Sequence, residues 1–315
     1  NTMLNLLKSL GSKIILSKDK KSAKILNKKN MKTFASYSLV KTMRGSILVL
    51  GPLISKHHKS KISLPGGCLI GARPVNYHLT ALNKLGMIYE LKDGYILAKS
   101  RGKLKGTIIN FPKISVGATE NSIIAACLAK GETILKNCAI EPEIKDLTNF
   151  LNKAGAKIRW SGRTCKITGV VSLNKIEYSV MADRIEAGTF CVAATLAQGN
   201  LKINNLNPKI IATEINLLKK AGAKIKTNEN EILIKGPKKI QSIKSIKTKE
   251  FPGIPTDLQA QLMVLMCKAV GKSSITENIF ENRFMHVAEL QRLGAKIKIK
   301  NNTAEIEGKT KFIAA

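Results

Sequence analysis

One phrase returns five times along the chain and limits what it can become: Leu7-Lys-Ser-Leu-Gly11-Ser-Lys-Ile, Leu82-Asn-Lys-Leu-Gly86-Met-Ile-Tyr, Leu151-Asn-Lys-Ala-Gly155-Ala-Lys-Ile, Leu218-Lys-Lys-Ala-Gly222-Ala-Lys-Ile and Leu290-Gln-Arg-Leu-Gly294-Ala-Lys-Ile. The glycines are 75, 69, 67 and 72 residues apart, a repeat of roughly 70 residues. An apolar pattern of helical period runs up to each glycine and a strand-like run follows it. This predicts a helix, a left-handed turn that glycine makes without a Cβ clash, and a strand. Polar turns such as Lys226-Thr-Asn-Glu-Asn-Glu-Ile-Leu-Ile-Lys235 extend that strand into a hairpin.

A second element keeps step with the first. Ala129-Lys-Gly131, Ala197-Gln-Gly199 and Ala269-Val-Gly271 each close an apolar helix and open a strand. The helices before them, Ser122 to Leu128, Phe190 to Leu196 and Gln259 to Cys267, are apolar nearly all round and are expected to be buried. The repeat is therefore strand, buried helix, strand, outer helix, hairpin. A unit of this size suits a symmetric α/β globule rather than a solenoid. The chain starts at Asn1 without Met, inside an apolar pattern, so an upstream stretch is expected to be missing and the five copies to be a truncated set of six.

The 315 residues allow two domains, and 44% hydrophobic content supplies their cores. A net charge of +32 taken alone suggests nucleic acid or an anionic membrane. The lysines are scattered singly, however, and only 4% of residues are aromatic, so bases would find few stacking platforms. A general compositional drift accounts for the charge better, and neither a nucleic-acid nor a membrane partner is expected. Six cysteines without a CxxC pair argue for a reducing cytosol and against a zinc site or disulfide framework. His57, His58 and His78 lack ligand spacing with carboxylates, and no metal is expected. No run of about 18 apolar residues offers a membrane span, and no signal-peptide pattern is present at the start of the sequence.

The most irregular stretch is Ser63-Leu-Pro-Gly-Gly-Cys-Leu-Ile-Gly-Ala-Arg-Pro-Val75, placed between two repeat units. Gly66 and Gly67 let backbone N–H groups approach an anion, Arg73 offers a planar fork, and Cys68 in such surroundings is a usable acid or nucleophile. The alternative is a surface loop with an incidental cysteine. Arg44 and Arg283 stand out where drift favours lysine, which hints at bidentate anion contacts. Lys113 and Ser115-Val-Gly-Ala-Thr119 lead into a buried helix and read equally as an anion site or as a cap. Asp257 in Pro255-Thr-Asp257 reads either as a helix cap or as a general base.

These segments, with Leu39-Val-Lys-Thr-Met-Arg44, Glu141-Pro-Glu-Ile144, Asp183-Arg-Ile-Glu-Ala-Gly-Thr-Phe190 and Glu277-Asn-Ile-Phe-Glu-Asn-Arg-Phe-Met-His286, closely resemble the UDP-N-acetylglucosamine 1-carboxyvinyltransferases, relatives of EPSP synthase. The resemblance implies a two-domain, inside-out α/β barrel of repeated βαβαββ units with pseudo-threefold symmetry in each domain and the site in the cleft between them. The domains are expected at 1–181, lacking its N-terminal part, and 182–315, lacking its last unit. It implies transfer of enolpyruvate from phosphoenolpyruvate to the 3′-hydroxyl of UDP-N-acetylglucosamine in peptidoglycan synthesis, by a cytoplasmic monomer without cofactor.

Carried over by position, the resemblance makes Cys68 the proton donor and fosfomycin target and Asp257 the candidate base. It makes Arg44 and Arg73 anion contacts. It assigns Arg73, Pro74, Val75, Asn76 and Tyr77, with Lys113, Ser115 and Val116, to the uridine nucleotide, and Asp257 and Ile279 to the sugar. The alternatives are an EPSP synthase-type enzyme, against which the cysteine loop argues, or a decayed fragment that keeps only nucleotide-sugar binding. A truncated chain of this kind is expected to turn over poorly.

Overall fold

The computed structural model describes residues 2–28, 30–41, 43–66 and 75–314. They divide into two compact lobes, one running to Tyr178 and the other beginning at Ser179.

The first lobe opens with α1 (Thr2–Ser9) and the hairpin β1 (Lys13–Leu16) and β2 (Ala23–Leu26). A full unit follows: β3 (Phe34–Ala35), the short α2 (Tyr37–Val40), a 3-10 turn (Arg44–Val49), α3 (Leu50–His57), β4 (Lys59–Ser63), α4 (Asn76–Lys84), β5 (Met87–Lys92) and β6 (Tyr95–Ser100). The next is β7 (Ile108–Asn110), α5 (Val116–Ala126), β8 (Glu132–Lys136), α6 (Pro142–Lys153), β9 (Lys157–Ser161) and β10 (Thr164–Thr168). The second lobe holds α7 (Arg184–Leu196), β11 (Asn200–Asn204), α8 (Ala212–Lys220), β12 (Lys224–Thr227) and β13 (Glu231–Lys235). It continues with β14 (Ile246–Lys247), a 3-10 turn (Thr256–Leu258), α9 (Gln259–Lys268), β15 (Lys272–Thr276), α10 (His286–Arg292), β16 (Lys296–Lys300) and β17 (Thr303–Glu307).

The sheets repeat one order: β3-β4-β6-β5, β7-β8-β10-β9 and β14-β15-β17-β16. In each the first pair is parallel, joined across a buried helix, and the last pair is the antiparallel hairpin. β11-β13-β12 is the same sheet without its parallel edge strand. This is the βαβαββ unit expected from the sequence repeat.

The five repeat glycines do what the spacing predicts. Gly11, Gly86, Gly155, Gly222 and Gly294 have φ between +94° and +106°, a region that L side chains enter only under strain. Each ends an outer helix and turns the chain straight into a strand.

The second glycine series is less uniform. Gly131 and Gly271 take φ of +88° and +108°, but in the Ala197-Gln-Gly199 copy it is Gln198 that takes the positive φ, +56°.

Burial places helices inside and sheets outside. α5 buries Ala118, Thr119, Asn121, Ser122, Ile123, Ala125 and Ala126 in the first core, and α9 buries Leu262, Met263, Leu265, Met266 and Cys267 in the second. Strands alternate instead: Thr133 and Leu135 of β8 are buried while Glu132 and Lys136 face water. α7 departs from the expected all-round burial at Phe190, which is 53% exposed. Cys127, Cys138, Cys165, Cys191 and Cys267 are buried, and burial pushes their thiols up, to about 11 for Cys191 and Cys267 and about 12 for Cys127 and Cys138. They are packing residues. Among the described residues no helix is long and apolar enough to cross a membrane.

The end of each hairpin closes directly on the turn after the buried helix. The N–H of Gly169 donates to Gly131 O (2.9 Å), that of Gly236 to Gly199 O (2.8 Å) and that of Gly308 to Gly271 O (3.0 Å). A Cβ built on Gly169 would run into Ala129 O, and one on Gly308 into Ala269 O. Gly169→Ala and Gly308→Ala should each cost about 1–3 kcal/mol or more in urea unfolding, as overpacking against rigid backbone does. Gly199→Ala, with open space around it and an ordinary φ, should stay within about 0.5 kcal/mol.

Candidate active site

In the first lobe the described residues expected to contact an anion or the nucleotide lie at or beside three helix starts. Arg44 opens the 3-10 turn that runs into α3, Val75 and Asn76 begin α4, and Ser115 caps α5, its Oγ accepting the N–H of Ala118 at 3.4 Å. Lys113 is exposed just ahead of that cap, Val75 is buried, and Tyr77 packs against the core. Cys68, Arg73 and Pro74 lie outside the described residues.

What joins these helix starts is a network that sequence reasoning missed. Asn121, fully buried on α5, accepts the N–H of Gly51 at Oδ1 (2.7 Å) and donates from Nδ2 to Ile47 O (3.1 Å) and to His78 Nδ1 (3.2 Å). Its carboxamide thus touches α3, the turn before α3, and α4. Each contact needs room: a Cβ on Gly51 would overlap Asn121, and one on Gly117 would meet the His78 ring at 3.0 Å.

Because Nδ1 of His78 accepts, the ring carries its proton on Nε2 and is neutral. Burial first, and then the positive charge of Arg44, push His78 down to about 4. At the residue just before Asn121, burial and then the charges of Glu143 and Glu141 raise Glu120 to about 7. The only sequence hint of this network was the polar run Thr119-Glu-Asn-Ser122 inside an otherwise apolar helix.

In the second lobe Asp257 does not cap a helix. The 3-10 turn starts from Pro255 and α9 from Leu258, neither with a side-chain capping bond. Asp257 Oδ1 instead accepts from Nη2 of Arg283 at 2.7 Å, and with 58% of its side chain exposed the carboxylate is reachable from solvent. Arg283 also lies over the ring of Phe280, 5.9 Å from its centroid. Ile279 belongs to the same 277–283 segment, so the structure brings Asp257, Ile279 and Arg283 together. Among the described residues no group of His, Cys, Asp and Glu could hold a metal ion.

His78 and Glu120 respond to acid in opposite senses. Between pH 6.5 and about 4 the unfolded chain protonates at His78 and the folded chain does not, so the stability His78 provides near neutrality is lost as pH falls through that window. Between pH 7 and 4.5 the folded chain binds the Glu120 proton first, so stability rises as pH falls. Removing the histidine term should expose the other. The destabilisation caused by His78→Gln should shrink by about 2 kcal/mol from pH 7 to pH 5 in urea titrations, and a pH-independent cost would contradict the buried neutral ring.

The whole chain has counterparts among known proteins. Residues 1–315 match the family described as EPSP synthase (3-phosphoshikimate 1-carboxyvinyltransferase). The UDP-N-acetylglucosamine 1-carboxyvinyltransferase of Pelagibacter ubique (strain HTCC1062) is 62% identical over 315 residues, all of this chain and 75% of that protein. The protein of the same name from Geobacter metallireducens is 49% identical over 316 residues, again covering the full chain and 75% of the relative. Among solved structures, the enolpyruvyl transferase NikO from Streptomyces tendae superimposes with a TM-score of 0.84 at 19% identity, covering 98% of this chain and 73% of that one. EPSP synthase from Acinetobacter baumannii gives 0.71 at 19% identity, covering 98% and 74%. Likeness of this kind extends through every element described above, and the chain belongs to the EPSP synthase family, among its UDP-N-acetylglucosamine 1-carboxyvinyltransferases.

Proposed function

We propose that the protein transfers the enolpyruvyl group of phosphoenolpyruvate to the 3′-hydroxyl of UDP-N-acetylglucosamine, releasing phosphate, as the first committed step of peptidoglycan synthesis in the cytoplasm. The observation that carries this reading is 62% identity, without a gap in coverage of this chain, to a protein bearing that name. The Pro65-Gly-Gly-Cys68 loop separates it from an EPSP synthase-type reaction, to which no such thiol belongs.

The chemistry requires the sugar oxygen to bond to C2 of phosphoenolpyruvate while C3 gains a proton, and then loss of phosphate with a proton from C3 to restore the double bond. Cys68 is the acid towards C3, and its counterparts elsewhere in the chain are buried and inert. Asp257 is the base towards the 3′-hydroxyl; its ion pair with Arg283 orients the carboxylate while leaving it accessible. Arg44 and Arg73 hold anionic groups. Val75, Asn76 and Tyr77, with Pro74, Lys113, Ser115 and Val116, line the nucleotide, where the capped start of α5 offers backbone N–H groups to a diphosphate. Ile279 meets the sugar. No metal or cofactor takes part, the domain boundary falls near residue 181, and the protein works as a monomer.

Phosphate release from phosphoenolpyruvate should depend on UDP-N-acetylglucosamine, and activity with shikimate 3-phosphate in its place would sink the reading. Cys68→Ser and Asp257→Asn should each lower kcat by about 10²–10⁴-fold, the usual contribution of a general acid or base. Fosfomycin should label Cys68 when the sugar nucleotide is present, as judged by the intact mass.

A further inference from the structure

Glu277, 3% exposed at the end of β15, has a carboxylate on which four donors converge. Its Oε1 accepts from Thr248 Oγ1 (2.9 Å) and from the backbone N–H groups of Ile279 (2.8 Å) and Phe280 (3.2 Å), and Oε2 accepts from Thr256 Oγ1 (2.8 Å). Its own backbone is held from the hairpin turn, its N–H donating to Asn302 O (2.8 Å) and its carbonyl accepting from Asn302 Nδ2 (3.2 Å). One carboxylate therefore ties three segments: the end of β14, the turn that opens α9, and the segment after β15.

This exceeds what joining two strands requires, as the first lobe shows. One step beyond the last parallel pair of β7 and β8, Phe111 faces Asn137, just as Thr248 faces Glu277 one step beyond β14 and β15. Asn137 joins its strands by donating Nδ2 to Phe111 O (2.8 Å). In the second lobe Asn278 already performs that task, donating Nδ2 to Thr248 O (3.1 Å) and its N–H to Thr248 Oγ1 (2.9 Å). Besides its bond from Thr248, the Glu277 carboxylate therefore holds the two segments that carry Asp257 and Ile279. Thr256, which it grips, is the residue before Asp257, and Ile279, whose N–H it holds, is two residues away in the chain. This point lies at the carboxyl ends of a parallel strand pair, where α/β sheets commonly present ligands.

We propose that Glu277 is a positioning residue for the sugar nucleotide: it sets the spacing between the carboxylate of Asp257 and the backbone at Ile279. The inference rests on the reading that these two residues meet the sugar. A buried carboxyl group that accepts two backbone N–H groups and two hydroxyls fixes the segments that carry them.

The test uses the full chain with Glu277→Ala, Glu277→Gln and Thr256→Val, measuring KM for each substrate, the Kd of UDP-N-acetylglucosamine by calorimetry, and the thermal midpoint. Glu277→Ala should raise KM and Kd for the sugar nucleotide by about 10–100-fold, as loss of a residue supporting direct ligands does, with KM for phosphoenolpyruvate changed less than about threefold. Glu277→Gln keeps the Oε1 acceptor and should recover to within about threefold of the unsubstituted protein. Thr256→Val removes a single bond and should lie between them, so it decides the matter if Glu277→Ala does not fold. A folded Glu277→Ala with unchanged sugar-nucleotide affinity overturns the proposal, as does an equal rise in KM for both substrates. Failure of the unsubstituted chain to bind UDP-N-acetylglucosamine would instead overturn the functional reading, and the proposal with it.

Discussion

A helix buried on every side can carry a polar side chain only if neighbouring elements supply its partners, and Asn121 on α5 shows how much structure that demand commands. An unpaired amide there would cost about 1–3 kcal/mol, so the carboxamide must meet a donor and acceptors at fixed positions. It finds them at Ile47, Gly51 and His78, which belong to the turn before α3, to α3 itself and to α4. Glycines at 51 and 117 follow from this, since a methyl group at either would push the partners apart. Val75, Asn76 and Ser115, read as nucleotide contacts, sit at the starts of α4 and α5, two of the helices that this amide joins.

The second lobe meets the same demand with a charge. Glu277 is buried at the end of a strand, and its carboxylate is acceptable there because four donors converge on it. Burying a carboxylate for stability alone is a poor bargain compared with an apolar residue of the same volume. Retention of such a group next to Asp257 and Ile279 fits a site in which spacing matters more than stability.

The units share a topology, and the two networks occupy different places in it: Asn121 lies within a buried helix, Glu277 one step beyond a parallel strand pair. The parallel pair places two strand ends side by side, the buried helix starts beside them, and the hairpin closes at Gly169, Gly236 or Gly308 against the turn beyond that helix. The outward faces of the sheets carry the scattered lysines, paired in places with glutamates as in Lys166–Glu132 and Lys300–Glu305. Exposed pairs of this sort add little stability.

The repeat, the turn glycines, the buried helices and the hairpins could all be read from the sequence, because each rests on local rules: helical and strand periodicity, and the freedom of glycine at positive φ. Family membership was legible as well, because motif residues stay contiguous in the chain. Partnership across the fold was not legible. Asp257 meets Arg283, 26 residues away, rather than capping its helix. His78, which lacked any ligand spacing, is the neutral partner of Asn121, 43 residues away. Glu277 reaches Thr248 and Thr256 in two other segments. Sequence by itself determined the elements and the chemistry available to them. Only the tertiary structure decided which polar groups complete one another, because a buried hydrogen bond depends on distances that nothing local in the chain encodes.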